Sequence, residues 1–85
     1  MKELPIHFIG QGEVRGYEFT QISKTDQAFI YEVNSCSSKY YEVFKKRLNK
    51  RFGTVSYPTS RGFGIWAWTY MSLERAERKF NELNS

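Results

Sequence analysis

The octapeptide Arg61-Gly62-Phe63-Gly64-Ile65-Trp66-Ala67-Trp68 constrains this chain more than any other stretch. It follows the turn-forming Pro58-Thr59-Ser60, and its aromatic and apolar content predicts a strand from Phe63 to Tyr70. Side chains alternate along a strand, so Phe63, Ile65 and Ala67 share one face while Gly64, Trp66 and Trp68 share the other. Both faces are then partly apolar. Such a strand needs cover on one side and offers the other to a partner. Two indoles on an open sheet face would form a large exposed apolar patch, so Trp66 and Trp68 are expected to face the helices.

The rest of the chain must supply that cover. With 85 residues there is room for one small domain, and the 18% aromatic content compensates for a hydrophobic fraction of only 40%. The lone Cys36 excludes an internal disulfide framework. Neither a signal-like segment nor an apolar run of membrane-spanning length is present, which predicts a cytoplasmic protein without a membrane. The net charge of +4 has one source: Lys39, Lys45, Lys46, Arg47, Lys50 and Arg51 lie in a single segment opposed only by Glu42, while charges elsewhere nearly cancel.

Leu4-Pro5-Ile6-His7-Phe8-Ile9 is expected to form a short edge element, and the glycines at 10, 12 and 16 mark a turn. Their spacing is one residue too long for a dinucleotide fingerprint, and a strand follows where a helix would be needed. Tyr17-Glu18-Phe19-Thr20-Gln21-Ile22 and Ala28-Phe29-Ile30-Tyr31-Glu32-Val33 flank a polar turn and predict a hairpin. Asn34 to Ser38 offer helix caps. Beyond them Tyr40, Phe44, Leu48 and Phe52 recur every four residues up to Gly53, a spacing that predicts a first helix. Thr54 to Tyr57 predict a short strand pairing with the 63–70 strand. From Ser72, a second helix places Leu73, Ala76, Phe80 and Leu83 on one face and sets Glu74 four residues before Arg78.

The octapeptide resembles the longer signature of the RNA recognition motif, whose first four positions Arg61-Gly62-Phe63-Gly64 match. Ala28-Phe29-Ile30-Tyr31-Glu32-Val33 is similar to the family's shorter hexapeptide, with Glu32 in place of the usual asparagine. The strand that family places after its second helix is missing, and residues 16–23 could fill its position by circular permutation. The resemblance implies a ferredoxin-like fold. On it, Phe29 and Phe63 would be base-stacking rings, Tyr31 a flanking ring and Arg61 a phosphate contact. A shift of one residue would make the same rings core. On the expected first helix, Lys39, Lys46 and Lys50 share a stripe, a second candidate surface for a polyanion.

Enzymatic chemistry is not expected. His7 has no carboxylate at a recognisable spacing, Cys36 is a single thiol before a helix N-terminus, and zinc would need clustered cysteine and histidine. The expectation is therefore a non-enzymatic α+β domain in the order ββαββα, with a four-stranded antiparallel sheet and two helices on one face. It would hold no cofactor or metal. It would bind RNA or single-stranded DNA weakly through Arg61, Phe63, Phe29, Tyr31, Lys39, Lys46 and Lys50. The alternative is a protein-interaction module or homodimer that uses the open sheet face.

Overall fold

A five-stranded antiparallel sheet carries the fold, with β1 His7–Ile9, β2 Glu18–Lys24, β3 Ala28–Asn34, β4 Lys39–Lys45 and β7 Ala67–Tyr70 side by side in that order. A separate two-stranded hairpin, β5 Leu48–Asn49 with β6 Thr54–Val55, lies between β4 and β7, and helix α1 Leu73–Leu83 follows the last strand. The computed structural model describes residues 4–10, 15–49, 51, 53–55, 57, 58 and 62–85. The expected β2–β3 hairpin, the edge element at β1 and the final helix are all present. The ββαββα arrangement is not: the sheet has five strands, not four, and the described residues contain one helix, not two.

The missing helix is β4. A spacing of four residues is close to one helical turn, but it is also two complete strand repeats, so Tyr40 and Phe44 align equally well on one side of a strand. What decides is the composition between them. Tyr40, Tyr41, Val43 and Phe44 are aromatic or β-branched, and they make both faces of the segment apolar, as a central strand covered on both sides requires. β4 sits between β3 and β7 accordingly, in register Phe29↔Phe44, Ile30↔Val43 and Phe44↔Ala67. Gly53 was expected to cap that helix. It has φ +64° in the turn joining β5 to β6, so the Thr54 strand pairs with β5 rather than with β7.

Strand β7 is also shorter than expected, because the octapeptide begins as a turn. Gly64 adopts φ +87°, and the Trp66 amide donates to the Gly62 carbonyl at 2.9 Å, so regular alternation starts only at Ala67. Trp68 therefore faces α1 as expected, with Lys79 Nζ 4.1 Å from its ring centre. Trp66 does not. The turn aims it at the opposite face, where it meets the Phe44 ring edge-on at 6.3 Å.

Each face of the sheet has its own core. On one, Leu73, Phe80 and Leu83 of α1 pack with the fully buried Ala76 against Ile30 and Val43, flanked by Tyr41 and Tyr70. Ser72 stands at the helix N-cap but makes no side-chain cap bond, and the exposed Glu74–Arg78 pair at 3.0 Å adds little stability. The other face is aromatic: Phe8, Phe19, Phe29, Tyr31 and Phe44 form a floor, and the segment between β4 and β7 covers it with Val55, Tyr57, Phe63 and Trp66. Tyr57 is the plug. Its ring centre lies 5.5 Å from Phe8, 5.4 Å from Phe19, 5.3 Å from Tyr31 and 4.9 Å from Phe44, every contact edge-on. Pairs of this geometry contribute about 0.5–1.5 kcal/mol each beyond burial.

Removing the plug is expected to be severe. Tyr57→Ala should lower unfolding free energy by about 3–5 kcal/mol in chemical denaturation, the usual loss for a buried ring. Tyr57→Phe keeps the ring and should lose only about 1–3 kcal/mol. An alanine variant with the wild-type midpoint would show that the ring is not part of the core.

Candidate functional site

The aromatic face was the expected docking surface, and its rings turn out to be interior. Phe29 and Tyr31 are 0% exposed, each stacked on Phe44 at 5.3 Å and 5.8 Å, and Phe63 is partly buried against the same cluster. A base could stack on these rings only if the covering segment left. The register shift that would turn the rings into core is therefore the alternative their burial supports. Arg61 and Lys50 lie outside the described residues. Lys39 opens β4, with its Nζ 4.0 Å from Glu32, whereas Lys46 follows the far end of that strand. Seven residues of extended chain separate them by roughly 23 Å. The stripe expected of Lys39, Lys46 and Lys50 required a helix, and it dissolves with that helix.

Nor is the sheet open on either side along its whole width. Helix α1 covers β3, β4 and β7, leaving the β1–β2 end of that face with His7, Ile9, Glu18 and Thr20 outward. His7 does have a carboxylate nearby, Glu18 at 4.0 Å, although both side chains are more than half exposed. Cys36 is exposed in the hydrogen-bonded Ser35–Ser38 turn, and strand β4 follows that turn where a helix was expected. Among the described residues no three His, Cys, Asp or Glu side chains come together to hold a metal, and no helix is long and apolar enough to cross a membrane.

A polar niche inside the aromatic core escaped the sequence reasoning. Glu42 is only 6% exposed, faces Tyr31 across β3 and Thr69 across β7, and accepts a hydrogen bond from the Tyr57 hydroxyl at 3.0 Å. Tyr31 in turn donates to the Pro5 carbonyl at 2.6 Å and accepts from Gln21 Nε2 at 3.0 Å. Burial pushes the Glu42 carboxyl up to about 7, and the Tyr57 bond, which favours the ionised form, offsets that only in part. The Tyr57 hydroxyl is pushed upward as well, by burial first and then by Glu42, and so remains a donor. Burial also raises Tyr40, with smaller contributions from Glu42 and Tyr17. The niche holds no second carboxylate or nucleophile beside Glu42 among these partners. Its evident work is to latch the covering segment.

The strongest surface feature lies at the end of the sheet that holds the β2–β3 turn. Lys24 ends β2, Lys45 ends β4 opposite Ala28, the Lys46 amide donates to the Gln27 carbonyl at 2.8 Å, and Arg47 comes next. The Lys45 amide bonds the Trp66 carbonyl at 2.9 Å, which brings the 62–66 turn to the same end, and the Arg47 guanidinium lies 5.0 Å above the Trp66 ring. Beside these groups are two exposed apolar side chains, Ile65 at 73% and Leu48 at 48%. Asp26 in the β2–β3 turn and the C-terminal turn of α1, held there by the Thr25–Asn84 hydrogen bond, soften the positive field without cancelling it. Of the described residues expected to bind nucleic acid, Lys46 lies in this group and Phe63 in the adjoining turn, partly buried against the core. Set against protein-family models, curated proteins and solved structures, the chain finds no match.

The buried carboxyl makes stability depend on pH in a definite direction. Between the ordinary glutamate value of 4.5 and about 7, the folded state keeps a proton that the unfolded state has released. Unfolding free energy should therefore be highest below pH 4.5 as far as this group is concerned, fall as pH rises through that window by on the order of 3 kcal/mol, and level off above it. Glu42→Gln should flatten the profile and make the protein more stable than wild type at neutral pH. An identical slope in both proteins, measured by denaturant titration across that range, would rule the latch out as its source.

Proposed function

We propose that this domain binds single-stranded RNA or DNA, weakly and without catalysis, through the basic end of its sheet. The observation that carries this reading is that the backbones of Lys24, Lys45, Lys46 and Arg47 meet at one end of the sheet, where the Arg47 guanidinium covers Trp66 and Ile65 and Leu48 are exposed. Cations alone suit any polyanion. Cations interleaved with an indole and apolar side chains suit a strand whose bases are unstacked, because such a strand presents phosphate and aromatic surface together. Duplex DNA hides its base faces, so the apolar half of the site would be wasted on it.

The electrostatic share of binding is accessible through salt. Each phosphate contact to a single strand contributes about 0.7 to the slope of log K against log salt. Replacing Lys45, Lys46 and Arg47 together by glutamine should lower that slope by about 2 for a fluorescent oligothymidylate, and should weaken binding most at low salt. All three lie at a strand end or beyond it, so the denaturation midpoint should change little. An unaltered slope with unaltered affinity would remove this surface from consideration, and self-association in sedimentation without oligonucleotide binding would favour the homodimer instead.

A further inference from the structure

We infer that Trp66 is the stacking platform for one unpaired nucleobase, with the Arg47 guanidinium as a cap that the arriving strand draws off the ring and onto a phosphate. This rests on the binding surface proposed above and names the residue that would read the bases. The indole is fixed before any ligand arrives. Its amide is bonded to the Gly62 carbonyl at 2.9 Å, and a Cβ on Gly62 would lie 2.6 Å from its Nε1 and 2.8 Å from its Cε2, so the ring rests directly on bare backbone. Phe44 meets it edge-on at 6.3 Å from the core side. Over the ring stands Arg47, an exposed side chain with its Cζ at 5.0 Å. An exposed cation above a half-buried ring is a weak contact, and a guanidinium exchanges it readily for a charge-assisted bond to phosphate.

The second tryptophan provides an internal contrast. Trp68 also carries a cation, Lys79 Nζ at 4.1 Å, but that lysine is four-fifths buried, lies on α1 and sits 3.6 Å from Glu82. Its cap is held from both ends and has nowhere to go. Ile65, exposed and adjacent to Trp66, can flank a neighbouring base, whereas Phe29 and Tyr31 have no exposed face to offer.

Trp68→Phe leaves Trp66 as the only indole and untouched. This variant would be titrated at low salt with an oligothymidylate of about twelve nucleotides and with an abasic strand of equal length, which keeps the phosphates and lacks the bases. The expected result is saturable quenching of the Trp66 emission by oligothymidylate alone, and an affinity about 5- to 100-fold above that for the abasic strand. Trp66→Leu, if its circular dichroism matches wild type, should bring the two affinities together; if it does not fold, the emission titration decides. Equal binding of both strands with unchanged emission would overturn the stacking platform and leave the basic surface standing. Binding of neither would overturn both.

Discussion

Everything on the aromatic side of this protein depends on one ring entering a cradle made by four others. Tyr57 follows β6, and it is held because Phe8, Phe19, Tyr31 and Phe44 present their rings to its edge while Glu42 accepts a hydrogen bond from its hydroxyl. Without that plug the floor of the cradle would be a broad apolar sheet face open to water, which a small monomer does not sustain. The partner that such a face invites is supplied by the chain itself. A carboxyl at the bottom of the cradle is a costly choice, since burial opposes its ionisation, yet a neutral Glu42 can still accept the Tyr57 bond. The fold is thus most stable where the carboxyl is protonated, because no charge is then buried, although the Tyr57 bond itself favours the ionised form.

The parts of the fold that local chemistry dictates were legible in the sequence. The β2–β3 hairpin follows from two β-forming runs around a polar turn, and α1 from an apolar stripe at Leu73, Ala76, Phe80 and Leu83 that nothing else could explain. Residues 40 to 53 misled because their four-residue recurrence fits a helix and a strand equally. Only the paired apolar faces of Tyr40-Tyr41-Glu42-Val43-Phe44 tell the two apart, and in the sequence Glu42 stands out only as the one charge opposing its basic neighbours. Its burial is a long-range fact, set by a tyrosine fifteen residues later. Around Phe63 the hydrophobic run suggested a strand from Phe63 to Tyr70 with Gly64 inside it, whereas Gly64 lies in a turn and the strand begins at Ala67.

The candidate site shows the same division. That the chain concentrates its positive charge between residues 39 and 51 is written in the sequence. Which of those cations act together is not, because a strand separates Lys39 from Lys46 whereas a helix would have aligned them. The fold places Phe19, Phe29, Phe44 and Tyr31 in the interior and leaves Trp66, Ile65 and Leu48 at the rim, near Lys45 and Arg47. A surface assembled from the ends of β2 and β4 and the turn before β7 has no contiguous signature. Only the register Ala28↔Lys45 and the bond from Lys45 to the Trp66 carbonyl bring its pieces together.

The most direct test of a closed aromatic core with binding at its basic rim is a map of amide chemical shifts during titration with a short oligothymidylate. The account predicts saturable changes at Lys24, Lys45, Arg47, Leu48, Ile65 and the Trp66 indole N–H, with Phe29, Tyr31 and Val33 unmoved. Changes centred on Phe29, Tyr31 and Phe63 would contradict it, since they would mean that the covering segment opens and that the rings of the sheet themselves receive the ligand.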